Sequence, residues 1–418
     1  MPLHHFRYGA HLSRDQVAEL VEPHPETPEL ISAWLVHHGI RPTSISTTHG
    51  GAWLTLTNVL VSQANQLLGA SYQLYRHSKT NETILRTVGY SLPSVLHTHI
   101  QTVAPTTYFS SSRVTRQTPR RRSSGPTSAQ AASGRLVKAL SSRLDVIEPE
   151  FLRWLYTMSP YETEEYVPSA TGRNRLGIVG FDGEFPSDDD LARFMTLFSG
   201  RTEGATFDVV QVNGGTDNPV LGPASLGDAN SNMQYASAMA FPTPIVFYSI
   251  GGFLMWNEDT GMELAGDRYL EWFDYMLAKE PNIPQTISIS YGDVELALPL
   301  EYRKALCDLF ARLGSLGVSV LVASGNAGVG GEDCKDEHGD VRFVPEFPSS
   351  CKCVVLSPLS STRQGEVHIS HQTTSQVPGS LASAALKTSP RLRRATPEAA
   401  SRRTFRARNT RSPWSMNT

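Results

Sequence analysis

Residues 285–331, QTISISYGDVELALPLEYRKALCDLFARLGSLGVSVLVASGNAGVGG, constrain the fold of this chain more than any other stretch. The β-rich apolar run Thr286–Tyr291 reads as a strand and leads through a loop into an amphipathic helix, Pro299–Leu316. A second β-rich run, Val318–Ala323, follows Gly317 and stops in the small-residue turn Ser324-Gly325-Asn326-Ala327-Gly328. This is a strand–helix–strand unit with a polar, Gly-lined loop at the carboxyl end of its last strand. Open α/β sheets place ligands and catalytic groups at that edge.

The same alternation extends over residues 144–356. Strands are expected at Leu176–Phe181, Phe207–Val212 and Pro244–Ile250, and helices at Asp188–Phe198, Asp228–Ala240 and Ala265–Ala278. Three acids, Asp188-Asp189-Asp190, open the first of those helices and complement its dipole. Short, fully apolar strands between helices imply a parallel sheet covered on both faces.

Residues 1–109 form a different module. Ser13 and Gln16 have capping-box spacing for a helix, Arg14–Val21. A helix at Pro28–His38, a strand at Ala52–Thr57, a helix at Ser62–Leu68 and a strand pair, Tyr72–Arg76 and Ile84–Val88, complete a small α+β domain. Residues 110–143 are rich in Ser, Arg, Gly and Pro and read as a linker. Its Arg120-Arg121-Arg122 run suits a solvated basic linker better than a processing site or a nucleic-acid patch. In residues 357–418 the hydrophobic periodicity ends, and arginines crowd the stretch from Arg391 to Arg411, where Glu398 is the one acid. That tail is expected to be disordered or to derive from out-of-frame translation; a nucleic-acid-binding tail is the alternative.

A net charge of −3 over 418 residues gives no argument for nucleic acid as a partner. No apolar run is long enough to span a bilayer, so no membrane is expected. The amino terminus lacks the apolar core of a signal peptide. Of the four cysteines, Cys307 reads as a small core residue, and Cys334 and Cys351 flank a loop that a disulfide would close. The Cys351-Lys352-Cys353 spacing is not that of a structural zinc site.

Ten of the thirteen histidines lie at or before His99, and none falls between His99 and His338. A Ser-His-Asp triad within the α/β core is therefore not expected. A hydrolytic base there would be a carboxylate, which points to acidic working pH. Asp228 and Asn232 are spaced i, i+4 and share one helix face. Carboxylates at both positions would make an acid–base relay, but only Asp228 is acidic. On its own, Asp228 reads as a helix N-cap. Asn326 reads as a turn residue, and its amide is also of a type that can donate to an oxyanion.

The combination of segments resembles the sedolisins, the serine-carboxyl peptidases, and among them the fungal secreted tripeptidyl-peptidases. Residues 75–84 (YRHSKTNETI), 90–97 (YSLPSVLH) and 105–109 (PTTYF) resemble the end of that family's propeptide. Residues 166–181, Asp228–Tyr235, Ser288–Gly292, Ser324–Gly328 and Val344–Cys351 resemble its catalytic domain. The resemblance implies an α/β fold: an incomplete subtilisin-like parallel-sheet domain (144–356) preceded by a propeptide-like α+β domain (1–109). It also implies an extracellular peptidase working at acid pH, with peptide or protein substrates, a calcium ion, and a propeptide docked on the catalytic domain as inhibitor and folding aid.

Carried over by position, the family's catalytic Glu falls on Asp228, its helix Asp on Asn232 and its oxyanion Asp on Asn326. The serine nucleophile of a later Gly-Thr-Ser segment has no counterpart; the nearest imitation is Gly379-Ser380 in the basic tail. The family's calcium ligands likewise fall outside the matching part. The expectation is thus a tripeptidyl-peptidase-like chain truncated at both ends and inactive as written. The alternatives are a peptide-binding or inhibitor-like pseudoenzyme, and a nucleic-acid-associated protein acting through the tail. An interrupted sheet would also leave Ile245–Tyr248 and Val318–Val322 partly uncovered.

Overall fold

The computed structural model describes residues 9–47, 50–77, 83–109, 113–114, 147–156, 174–181, 184–198, 206–215, 217, 227–251, 255–257, 261–263, 268–325, 340, 343–357, 403–406 and 414–416. The first module begins with α1 (Arg14–Leu20) and α2 (Thr27–His37). The Ser13–Gln16 capping box forms as expected: the Gln16 N–H donates to Ser13 Oγ, and the Ser13 N–H to Gln16 Oε1. Strand β2 (Leu54–Leu56) pairs antiparallel with β1 (Ile45–Thr47), a strand the sequence reading missed. Helix α3 (Val61–Leu68) ends at Gly69, whose φ of 54° is left-handed. Strands β3 (Gln73–His77) and β4 (Thr83–Arg86) pair antiparallel. Leu35, Ile40, Leu67, Leu68, Leu85 and Leu92 build this module's own core.

Two further strands depart from the reading. β5 (Gly89–Leu92) pairs antiparallel with β17 (Arg403–Arg406), and β3 with β18 (Trp414–Met416). Two pieces of the basic tail, expected to be disordered or out-of-frame, thus lie as strands on the first module. The rest of 357–418 beyond Ser357 lies outside the described residues, as do 115–146 of the linker region. Strand β6 (Arg113–Val114) follows the first module.

The second module holds a six-stranded sheet, all parallel, in the order β16-β14-β12-β7-β9-β8. In chain order these strands are β7 (Leu176–Gly180), β8 (Phe207–Val212), β9 (Ile245–Ile250), β12 (Thr286–Ile289), β14 (Ser319–Ala323) and β16 (Val355–Ser357). Between β9 and β12, β10 (Met255–Asn257) and β11 (Gly261–Glu263) form a separate antiparallel pair. Helix α4 (Pro149–Leu155) precedes the sheet. α5 (Asp188–Phe198) and α6 (Gly227–Ala240) contribute Leu191, Phe194, Met195 and Met233 to one face, against Ile178, Ile245 and Phe247. α7 (Arg268–Asp274), which continues through a π-helical turn Tyr275–Lys279, and α8 (Leu300–Ser315) cover the other. There Trp272, Phe273, Leu306 and Phe310 pack on Val246, Tyr248, Ile287 and Val322. Neighbouring strand residues face opposite ways, so the run Ile245–Tyr248 feeds both clusters.

The expectation of uncovered strand faces is therefore corrected. Ile245, Val246, Phe247 and Tyr248 are 0–4% exposed, and Val318, Val320 and Val322 are 0–6% exposed. Two helices on each face suffice to bury them. Two further expectations change. The strand expected to end at Tyr291 breaks at Ser290, and Tyr291–Val294 becomes β13 of a small antiparallel sheet with β15 (Glu346–Phe347) and β6. The disulfide joins Cys307 to Cys351, with Cα atoms 5.5 Å apart. Cys307 on α8 packs beside β14, and β16, next to Cys351, pairs with β14, which brings the two thiols together. Cys334, the partner expected from the sequence, lies outside the described residues.

Candidate active site

The carboxyl ends of β7 and β12 and the amino end of α6 converge. Glu184, Asp228, Asn232, Ser290 and Tyr291 line a small cavity there, with Phe181 as an apolar wall. The i, i+4 spacing on α6 thus does what the sequence predicts: Asp228 and Asn232 present to one space. β7 ends in Gly180 because a Cβ there would stand 2.3 Å from the Phe247 ring. Phe181, Tyr269 and Tyr291 form an aromatic cluster beside the cavity, with Phe181 and Tyr291 centroids 4.6 Å apart. The Tyr269 hydroxyl donates to the Tyr291 carbonyl at 2.7 Å, which fixes the bend between β12 and β13.

Asp228 is 9% exposed. It is not the helix cap. The cap is Glu184, whose Oε2 accepts the N–H groups of Asp228 at 2.9 Å and Ala229 at 3.1 Å. A carboxylate at these first-turn donors is stabilised by the helix dipole and satisfies two otherwise unpaired groups. Helix α6 starts one residue earlier than expected, at Gly227, so Asp228 sits inside the first turn. The segment that carries Glu184 is itself held. Phe185 is buried against Phe247, and the Asn230 amide bridges the Ser187 N–H (3.1 Å) and the Asp190 carboxylate (2.9 Å). At the far end of α6, Arg153 of α4 donates to the Ala238 carbonyl at 2.6 Å.

Sequence reasoning missed Glu184. Its signal was present: an acid four residues past the end of a strand, on the edge where sites form. Asn326 lies outside the described residues; β14 places the preceding Ser324 and Gly325 (φ 83°) at the same carboxyl edge as Ser290. Ser380 also lies outside them.

Chemically, Asp228 can hold or accept a proton. Asn232 can orient a partner by hydrogen bonding but cannot ionise. Among the described residues no group of three or more His, Cys, Asp or Glu is placed to hold a metal ion.

Comparison with known proteins bears on both modules. Residues 2–109 match the family model "Pro-kumamolisin, activation domain". Over 358 residues the chain is 33% identical to "Tripeptidyl-peptidase SED2" of Arthroderma otae, an overlap covering 83% of this chain and 57% of that protein. This chain belongs to the sedolisin family. A "Probable tripeptidyl-peptidase SED3" of Arthroderma benhamiae is 30% identical over 357 residues, 84% of this chain and 57% of that protein. The chain thus spans a little over half the length of these curated sedolisins. A solved Pseudomonas sedolisin, "complexed with two molecules of pseudo-iodotyrostatin", overlaps at TM-score 0.31 and 15% identity, covering 44% of this chain and 47% of that one. An overlap that slight carries no argument. The parallel sheet with helices on both faces and the activation domain before it agree with a sedolisin fold. No helix among the described residues is long and apolar enough to cross a membrane.

Proposed function

We propose that this chain is a tripeptidyl-peptidase-like sedolisin that engages extended peptides at the carboxyl edge of its sheet but does not turn them over. The observation that carries the reading is β6 on β13. Arg113–Val114 pairs antiparallel with Tyr291–Gly292, immediately beside the cavity that holds Asp228 and Asn232. A strand edge that pairs with two residues of the chain's own linker can pair in the same way with another extended peptide, through main-chain hydrogen bonds.

Turnover fails in this reading for chemical reasons. Asp228 is one methylene shorter than the Glu it replaces, and misplacement by about 1 Å can cost about a hundredfold in rate. Asn232 cannot share or relay a proton. No Gly-Thr-Ser segment occurs in the 418 residues. Without an activated nucleophile the covalent route has no first step. Secretion and calcium dependence belong to the same proposal and rest on the resemblance alone.

The test pairs binding with turnover. A peptide with a free amino terminus should bind the purified chain by displacing Arg113–Val114 from the β13 edge, and binding should weaken when Gly292→Pro blocks that edge. A fluorogenic tripeptide substrate should stay intact at acidic and neutral pH. Binding unaffected by Gly292→Pro would refute the proposed docking edge.

A further inference from the structure

The activation domain meets the second module through α1 at the amino edge of the sheet, and through Tyr108, whose ring stacks on Tyr302 of α8 with centroids 4.9 Å apart. Trp53 and Ala104 also pack against the second module's core. Strand β6, beyond the activation domain, lies at the opposite, carboxyl edge. α8 ends at Ser315 just before β14 starts, and the α7 π-turn ends at Lys279 before β12 starts, so both helix ends lie at the amino edge. The Ser319 N–H to Gln285 carbonyl bond, 2.8 Å, ties the two strand starts together there.

α1 seats on those helix ends. The Arg14 guanidinium donates through Nη2 to the carbonyls of Met276, at 3.2 Å, and Glu280. The Leu12 N–H donates to the Ser315 carbonyl at 2.9 Å. Val17 is buried, and Val17, Ala18 and Val21 face Leu277 and Leu316. His11 lies so close to Gly317 that a Cβ there would stand 2.6 Å from its ring. The Gly50 turn of the activation domain also packs on α1, where a Cβ on Gly50 would stand 3.1 Å from the Ala18 Cα.

The chemistry of this contact is specific. The last carbonyls of a helix lack intrahelical donors and carry the negative end of its dipole. The single Nη2 of Arg14 serves both carbonyls, and the planar guanidinium holds its two N–H groups in fixed directions. Arg14 does so although Arg312 of α8 lines the same cavity with like charge. Burial holds the Arg312 pKa below its usual value, and Asp308 opposes that shift.

We propose that α1 is an anchor that fixes the activation domain to the amino edge of the sheet, away from the catalytic positions, and that Arg14 sets its strength. The Tyr108–Tyr302 stack and the pairing of β6 on the peptide edge are further attachments at places other than the α1 seat. The proposal rests on reading the first module as an activation domain docked on a catalytic one. It does not rest on peptide binding or turnover.

Hydrogen exchange of the full chain, followed by mass spectrometry, tests it. Arg14→Ala should speed amide exchange in residues 12–21 and 276–283 by about tenfold or more, the size expected for losing charge-assisted hydrogen bonds. Exchange in Gly227–Ala240 and Tyr291–Val294 should stay within about twofold, because local openings are separate units. Arg14→Lys should fall between, since an ammonium keeps the positive charge but not the guanidinium's fixed donor directions. If Arg14→Ala does not fold, Arg14→Lys carries the same comparison. Unchanged exchange in 12–21 would overturn the role of Arg14. Equal acceleration at Tyr291–Val294 would overturn the separation of anchor and peptide edge. A chain that failed every peptide-binding assay would leave these outcomes unaltered.

Discussion

Glu184 stands over the first turn of α6 and accepts the backbone N–H of Asp228 at 2.9 Å. The carboxylate that caps the helix is thus not the one the helix carries, and the two line one cavity. Capping by Glu184 means that the N-cap role first read for Asp228 is already performed. Glu184→Ala should therefore destabilise the chain by about 1 kcal/mol, the usual cost of losing a helix cap, whereas Glu184→Gln keeps an acceptor and should cost less. Urea unfolding of the two variants checks this. Equal losses would show that capping is not what Glu184 contributes.

Gly180 ends β7 at the cavity wall. Gly180→Ala would place a Cβ 2.3 Å from Phe247 Cζ. Phe247 is fully buried and has little room to retreat. Overpacking of this kind costs about 1–3 kcal/mol. Denaturant midpoints should fall accordingly, and the aromatic cluster around Tyr291 should shift with β7.

How much of this was legible beforehand follows from the kind of signal each feature leaves. Asp188–Phe198 and Phe207–Val212 form where apolar periodicity placed them, to the residue. So do the Ser13–Gln16 box and the shared face of Asp228 and Asn232. These are local patterns. β1, β5 and β13 were missed because they are three or four residues long and defined by a distant partner strand. Glu184 was missed for the same reason: its role depends on donors 44 and 45 residues away. The Cys307–Cys351 pairing depends on sheet order, which spacing alone does not encode.

That disulfide closes a separation of 44 residues. Crosslinks of this kind typically contribute about 2–4 kcal/mol. Peptide mapping under non-reducing conditions should recover Cys307 linked to Cys351, and Cys351→Ala should lower the unfolding free energy by about that amount. Recovery of a Cys334–Cys351 peptide would contradict the pairing.

Cys353 is a free thiol that donates to the Cys307 carbonyl at 3.1 Å. Burial pushes its pKa up from 9.0 to about 11. Burial likewise pushes the Tyr72 hydroxyl from 10.0 to about 12. A folded-state pKa above the unfolded value contributes stability in full below the unfolded pKa and loses it as pH rises. Stability should therefore begin to fall above about pH 9 and continue to fall towards pH 12. Thermal midpoints across that range check the sign. At neutral pH the same protonation should keep Cys353 unreactive to thiol reagents until the chain unfolds.

The central proposal is a sedolisin fold that docks peptides at the β13 edge and does not cleave them, since its 418 residues carry no Gly-Thr-Ser segment. Its most direct test is mass spectrometry of peptides with free amino termini incubated with the purified chain at acidic pH. The account predicts intact peptides, and still intact peptides after Asp228→Glu, Asn232→Asp and Asn326→Asp are combined, because these changes supply no serine nucleophile and members of a catalytic unit do not act additively. Release of tripeptides by the unmodified chain, blocked by a serine-directed inhibitor, would contradict it.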